Sequence, residues 1–227
     1  TMQVCFSFLM AFTFVNIGDI GNHATLVNKK VLIGLITLCA LPLYFTYHAY
    51  KTSNLEYLIQ TDNINFESSG VLKGDDVVGR NPKFPNVFQS SESFVEYAGI
   101  YYFREKRYTE AIKLLDSANQ INPYLGRPDF YKYLIATERS LPDSAYFYAK
   151  SAFYRRPVND NFFETATTLA AARRDTAEIL KMYEAFPDIA TKPASWSKAY
   201  LSLNSAGYSK GNLERFKELA LKSFPAD

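Results

Sequence analysis

Cysteine is nearly absent from this chain. Its two cysteines, Cys5 and Cys39, both lie inside apolar runs. That excludes a disulfide framework, and without a C-x-x-C or a Cys/His cluster it excludes a zinc site of the usual spacing. Histidine is as scarce, with His23 and His48 alone. No charge of one sign dominates: 25 basic residues against 23 acidic leave a formal charge of +2, mixed along the whole length. A nucleic-acid partner is therefore not expected, since it calls for a basic stripe. The signatures of chemistry are missing too. There is no G-x-S-x-G, no Walker lysine loop, no H-E-x-x-H and no glycine-rich dinucleotide turn. No catalytic residue, metal ligand or cofactor site is expected. His48 reads as an amphipathic filler, not as a base. Asp75 with Asp76, and Glu178 with Glu184, read as solvated faces, not acid/base pairs.

Aromatic residues are abundant, with 17 Tyr and 18 Phe. Most large apolar side chains are buried, so helix seams are their expected place. The alternative is a surface for stacking sugars or peptides. Apolar residues also gather in the first fifty positions. The run VLIGLITLCALPLYFTYHAY, residues 31–50, carries no formal charge with His48 neutral. At about 1.5 Å per residue it matches a hydrocarbon core of roughly 30 Å. Tyr44, Tyr47 and Tyr50 stand at its end, where interfacial rings are favoured, and Lys29 and Lys30 precede it on the expected cytoplasmic side. Pro42 is expected to kink this helix without breaking it. An earlier run, residues 2–17, lacks the basic start and cleavage site of a signal peptide. It is expected to be a second span, truncated at its start. The two would form a transmembrane hairpin over residues 1–50, with its loop inside and all that follows outside the cytoplasmic membrane.

Residues 51–91 are punctuated by Gly, Asn, Asp and Pro and read as an extended tether. Ser90, Ser91 or Ser93 is placed to cap the helix that follows. From residue 92 a repeat emerges. Ala111, Ala118 and Pro123 recur as Ala145, Ala152 and Pro157, each 34 residues on, and Ala220 and Pro225 lie two periods beyond the latter pair. An intermediate copy is carried by Ile179, Tyr183 and Phe186, with Thr191 in place of the proline. A 34-residue period with two helices per unit is the tetratricopeptide pattern. The first copy resembles it through Gly99, Tyr102, Ala111, Leu115, Ala118 and Pro123, with Tyr108 at the turn. The second departs from it by placing Tyr133 where glycine is expected, so its first helix should pack less closely or shift register.

The expected fold is thus all-α: a tetratricopeptide-type helical-hairpin solenoid of three to four repeats over residues 92–227, preceded by a transmembrane helical hairpin. Small residues let paired helices approach while large ones fill the layer behind, and one face of each first helix should line a groove. By the 34-residue phase that groove holds Glu96, Phe103 and Arg104, then Arg127, Phe130 and Glu138, then Asn161 and Glu164. Mixed charge with aromatic anchors suits a protein or peptide partner; an ordinary solvated groove is the alternative. Arg155 and Arg156, in FYRRPVNDNFF, read instead as a salt-bridged corner between repeats.

The order of apolar hairpin, proline-containing last span, tether and short repeat array resembles the C-terminal part of bacterial O-antigen ligase/polymerase-type membrane proteins. The stretches VNIGDIGNHATLVNKKVLIGLI, and GRPDFYKYLI followed by DSAYFYAKSAFYRRP, carry the likeness. The resemblance implies a bacterial inner-membrane protein of surface polysaccharide or lipopolysaccharide assembly, with its repeats on the periplasmic side. It implies a lipid bilayer and, through the parent protein, an undecaprenyl-linked glycan as partners. That family's catalytic arginine and histidine match no residue here, so this chain would be a non-catalytic interaction portion. The other reading is a self-contained membrane-anchored scaffold for peptides or proteins, without chemistry.

Overall fold

The computed structural model describes residues 29–64, 72–84, 86–88, 90–186 and 193–223. The fold is all-α, with ten helices among the described residues. The first apolar run with Cys5, the loop with His23, and Thr191 and Pro225 lie outside the described residues, as do the side chains of Val31, Leu32, Leu35, Cys39 and Ala220. The chain divides into two units, residues 1–71 with 80–86, and residues 72–79 with 87–227.

In the first unit, α1 runs from Lys29 to Ile64. It passes through Pro42 without ending, as expected, and continues well past Tyr50 into what was read as tether. Residues Ile33, Ile36, Leu38, Leu41, Leu43 and Phe45 are all exposed, spread over more than half of the helix circumference. Beyond them one face becomes buried, through Thr52, Leu55, Ile59 and Asp62. Among the described residues no helix is long and apolar enough to cross a membrane. The expected transmembrane hairpin therefore gains no support from the fold. Thr37, Pro42, Thr46 and His48 interrupt the aliphatic run, and Thr37 returns its hydroxyl proton to the Ile33 carbonyl at 2.9 Å.

The second unit opens with a short helix, α2 (Gly74–Arg80), followed by four hairpins: α3 (Phe94–Arg104) with α4 (Tyr108–Ile121), α5 (Arg127–Glu138) with α6 (Pro142–Arg155), α7 (Asp160–Ala172) with α8 (Thr176–Ala185), and α9 (Pro193–Ser205) with α10 (Lys210–Ser223). The second helices begin at Tyr108, Pro142, Thr176 and Lys210, each 34 residues after the last. Local chemistry sets the starts. Ser93 Oγ accepts the Glu96 N–H at 3.1 Å, and Asn159 Oδ1 accepts the N–H groups of Asn161 and Phe162. Asp175 Oδ1 caps α8 through the Glu178 N–H. Each cap satisfies donors a first turn would leave orphaned. Pro142 stands at the start of α6, where no donor is needed.

All four hairpins close with one turn. The N–H of Arg107, Leu141, Asp175 and Tyr208 reaches back five residues to the carbonyl of Tyr102, Ala136, Ala170 and Leu203, at 2.8–3.0 Å. Immediately before each sits a left-handed residue: Lys106, Ser140, Arg174 and Gly207. This is the Schellman arrangement, which normally recruits glycine. Here three of the four positions hold side chains.

Packing repeats with the same phase. Ala111, Ala145, Ile179 and Leu213 occupy one register position and all are buried. At another register position, Ala98 and Ala166 are buried alanines, whereas the second hairpin places Lys132 there, only 6% exposed. Its charge is answered locally. Lys132 Nζ lies 2.6 Å from Asp129 and 2.8 Å from Asp116, with the Tyr148 ring 4.8 Å away. Asp129, 2% exposed, also accepts from Asn119 Nδ2, Ser151 Oγ and Arg155 Nε at 2.6–2.7 Å. Burial works against the Asp129 charge, but the hydrogen bonds from Lys132 and Ser151 outweigh it and hold the carboxyl below its ordinary range. Arg155 Nη1 donates to the Pro123 carbonyl in the connection between hairpins, so of the two arginines expected at this corner Arg155 forms it, and Arg156 makes no ion pair among the described residues.

Two predictions test this packing. Asp129→Ala would leave Lys132 with Asp116 as its one carboxylate and Asn119, Ser151 and Arg155 without their acceptor, and should cost about 3–5 kcal/mol in urea unfolding; a loss below about 1 kcal/mol would mean the cluster is incidental. Left-handed backbone sets a second contrast. Ser140→Gly should gain about 1 kcal/mol by relieving its positive φ, whereas Gly126→Ala should lose more than that. At Gly126 φ is +70°, and an added Cβ would meet the Ala152 carbonyl at 2.5 Å. Thermal melts of the two variants should move in opposite directions.

Candidate functional site

The eight residues expected to line a groove fall into two groups. Glu96, Phe103, Arg104, Arg127 and Glu138 are occupied by neighbouring side chains in the first two hairpins. Glu96 is 1% exposed on α3, with Arg127 Nε of α5 at 3.4 Å from its Oε1. Arg127 also donates to the Tyr97 hydroxyl, lies over the Tyr97 ring and pairs with Glu92. Phe103 packs edge-on against Tyr131, Arg104 lies over the Tyr101 ring, and Glu138 accepts the Tyr108 hydroxyl. Apart from the Arg104–Tyr101 contact, which lies within α3, these contacts join the first hairpin to the second.

Phe130, Asn161 and Glu164 behave otherwise. They line a cavity of about 420 Å³ together with Tyr133, Thr165, Thr168 and Leu169. The 34-residue phase explains why: Phe130 and Tyr133 belong to α5, the rest to α7, both first helices of their hairpins. Phe130 stacks on Phe162 of α7, with centroids 5.1 Å apart, which sets the spacing of the two helices. Tyr133, the departure from the repeat pattern, packs against Phe130 and forms one wall. Further along α7 a second cavity, about 340 Å³, is bounded by Thr168, Ala171 and Ala172 and by Leu201, Ser202 and Ser205 of α9. Thr168 borders both, so the two form one trough across three first helices.

Sequence reasoning missed Tyr133, Thr165, Thr168 and the α9 residues. A signal existed in the TATTLAAA run, where Thr165, Thr168 and Ala172 recur at helical spacing. Glu164 is paired with Lys198 at 2.7 Å, which removes the one formal charge from the lining. Among the described residues no group of His, Cys, Asp and Glu could hold a metal ion. His48 stands among the rings of Tyr44 and Tyr47 on α1.

The acidic pairs are partly engaged and not simply solvated. Asp75 accepts from Tyr102 and Arg107 at 2.7 and 2.8 Å, and these hydrogen bonds hold its carboxyl low. Together with the Gly74 N–H bonded to Glu105 at 2.6 Å, they clamp α2 onto the first hairpin. Glu178 accepts from Tyr154 at 2.9 Å and pairs with Lys150.

No family model, curated protein or solved structure matches the chain.

Glu96 supplies a pH prediction. Burial pushes its carboxyl up to about 7; Arg127 opposes this, and the charge of Glu92 adds to it. The unfolded chain loses that proton near the ordinary carboxyl value, so stability present below about pH 4.5 falls as pH rises towards 7, then levels. The full span is about 3 kcal/mol. The other shifted carboxyls, Asp75, Glu110 and Asp129, are all held low and act at more acidic pH. Glu96→Gln should therefore flatten urea stability between pH 5 and pH 8; an unchanged slope would remove Glu96 as its source.

Proposed function

We propose that the chain is the membrane-plus-repeat portion of an O-antigen ligase/polymerase-like protein of bacterial surface-glycan assembly. Its four hairpins act as a tetratricopeptide-type, non-catalytic interaction domain outside the cytoplasmic membrane. The observation that carries the reading is the trough. A surface is built across three first helices, with short hydroxyls beside apolar hollows. Concave surfaces of this make-up are suited to binding. Stacked hairpins suit this task because each adds one more first helix to a continuous face.

Membrane attachment is part of the proposal and rests on α1. Residues 31–50 are uncharged, and the exposed aliphatic side chains spread over more than half of the circumference, wider than the single stripe of an amphipathic helix. Tyr44, Tyr47 and Tyr50 then sit at the interface and Lys51 beyond it. The repeats would hold a partner or acceptor near a catalytic centre contributed by spans upstream of this chain. A self-contained anchored scaffold would use the same trough with no enzyme attached.

Native mass separates the two. An antibody to the repeats, used on membranes of the source cells, should reveal a protein heavier by about ten spans of roughly 20 residues each. A band at the 25.8 kDa of this chain would eliminate the enzyme reading and leave the scaffold. Protease added to spheroplasts should digest the repeats; full protection would put them in the cytoplasm and reverse the orientation inferred from Lys29 and Lys30.

A further inference from the structure

Residues 80–86, RNPKFPN, belong with α1 in the first unit. The contact that places them is aromatic: the Phe84 ring meets the Phe45 ring of α1 edge-on, with centroids 6.1 Å apart. It leaves both rings open, Phe84 at 59% and Phe45 at 51% exposure. Tyr44, Tyr47 and Tyr50 are exposed on the same stretch of α1. Five exposed rings therefore gather beside about two turns of one helix. Surfaces that face only water rarely keep so much apolar area together.

Cations border these rings and are not spent within the protein. Lys51 Nζ reaches the Tyr47 ring at 5.6 Å, and its residue lies about 9 Å beyond Phe45 along the helix. Lys83 adjoins Phe84, and Arg80 opens the segment. Both are exposed, and neither forms an ion pair among the described residues. Asp76, one turn before Arg80, accepts the Lys73 N–H instead. No acidic residue occurs between positions 31 and 55 or between 80 and 86. Exposed rings bordered by lysine and arginine suit the bilayer interface, where rings lie at headgroup level and cations meet phosphates.

The backbone sets the depth. Residues 81–84 are neither helix nor strand, so their peptide groups need water or headgroups and cannot enter hydrocarbon. Pro82 has no N–H to satisfy. The segment belongs at headgroup level, with the Phe84 ring alone reaching inward. Other occupants answer only part of this surface. A second copy would bring like charges together, and an apolar helix would leave the cations unanswered.

We propose that residues 80–86 form an interfacial anchor beside α1, in which Phe84 enters the acyl boundary next to Phe45 while Arg80, Lys83 and Lys51 hold the phosphates of anionic lipids. This rests on the reading of α1 as membrane-attached and adds a second point at which the chain meets lipid.

The test uses the whole chain reconstituted in phosphatidylcholine vesicles containing about a third phosphatidylglycerol. A tryptophan is added as Phe84→Trp, Leu38→Trp or Tyr57→Trp, all exposed positions, and each variant is read against the unaltered chain, whose one tryptophan is Trp196. Quenching by lipid brominated along its acyl chains reports contact with the bilayer. Leu38→Trp follows α1 itself, and Tyr57→Trp follows the helix about 18 Å beyond Phe45. The added emission of Phe84→Trp should fall by about twofold or more, and that of Tyr57→Trp should hardly change. Arg80→Ala with Lys83→Ala should remove about half of the quenching at Phe84→Trp, as should vesicles without phosphatidylglycerol.

Quenching at Leu38→Trp without quenching at Phe84→Trp would overturn the anchor and leave membrane attachment standing, with Phe84 covered by protein. Quenching at Phe84→Trp that ignores both the alanine pair and the lipid charge would overturn the phosphate contacts, and with them the proposal. If neither Leu38→Trp nor Phe84→Trp is quenched, the anchor and the membrane reading of α1 both fall.

Discussion

A single buried carboxylate organises the middle of the repeat array. Asp129 accepts from four side chains drawn from three successive helices, α4, α5 and α6. Removing a charge from water costs several kcal/mol, and such a site is stable only when every lone pair is answered. That requirement fixes α4 against α5 and α5 against α6 more narrowly than apolar packing would. Aliphatic surfaces can slide, whereas a carboxylate with four partners has one satisfactory geometry. The neighbouring connection is held by the same means, since Arg155 spans from Asp129 to the Pro123 carbonyl. Away from this hairpin the buried core is mostly apolar, through Phe163, Ala166, Ala170, Ile179 and Met182, while the Glu164–Lys198 pair lies at the more exposed edge between α7 and α9.

Around that node the array is regular because a single turn recurs. A five-residue reach of the backbone closes each hairpin, and the left-handed residue before it sets where the second helix starts. Three of those residues are not glycine, so the turn is imposed by the helices on either side and not chosen by the turn residue. Regular turns keep first helices beside first helices. The trough follows from that placement: it lies where α5, α7 and α9 pass one another, with the Phe130–Phe162 stack as spacer.

The same logic explains which expected site residues joined the trough. Of the residues marked by the 34-residue phase, Phe130, Asn161 and Glu164 border the trough. Glu96 and Phe103 of the first hairpin, and Arg127 and Glu138 of the second, instead join the two hairpins. Glu96 and Arg127 are oppositely charged and 31 residues apart, and the repeat brings positions about one period apart into contact. Each is therefore a natural partner for the other. A ligand-facing charge and a neighbour-facing charge have the same spacing in sequence, and only the packing tells them apart.

The sequence by itself determined the all-α class, the 34-residue period and the small-residue seams, since Ala111, Ala145 and Pro123 report short-range geometry that any neighbour must respect. It also narrowed the cap of α3 to three serines, of which Ser93 serves, and the corner to two arginines, of which Arg155 serves. Tertiary structure decided which charges are consumed, that Tyr133 walls a cavity where glycine was expected, and that α9 contributes Ser202 and Ser205 to the same surface. It also decided that α1 continues to Ile64, although Gly, Asn, Asp and Pro punctuation had suggested a tether. The physical reason is that period and caps depend on residues a turn or one repeat apart. Burial and pairing depend on which side chain arrives from another hairpin, and that is settled only when the hairpins are stacked.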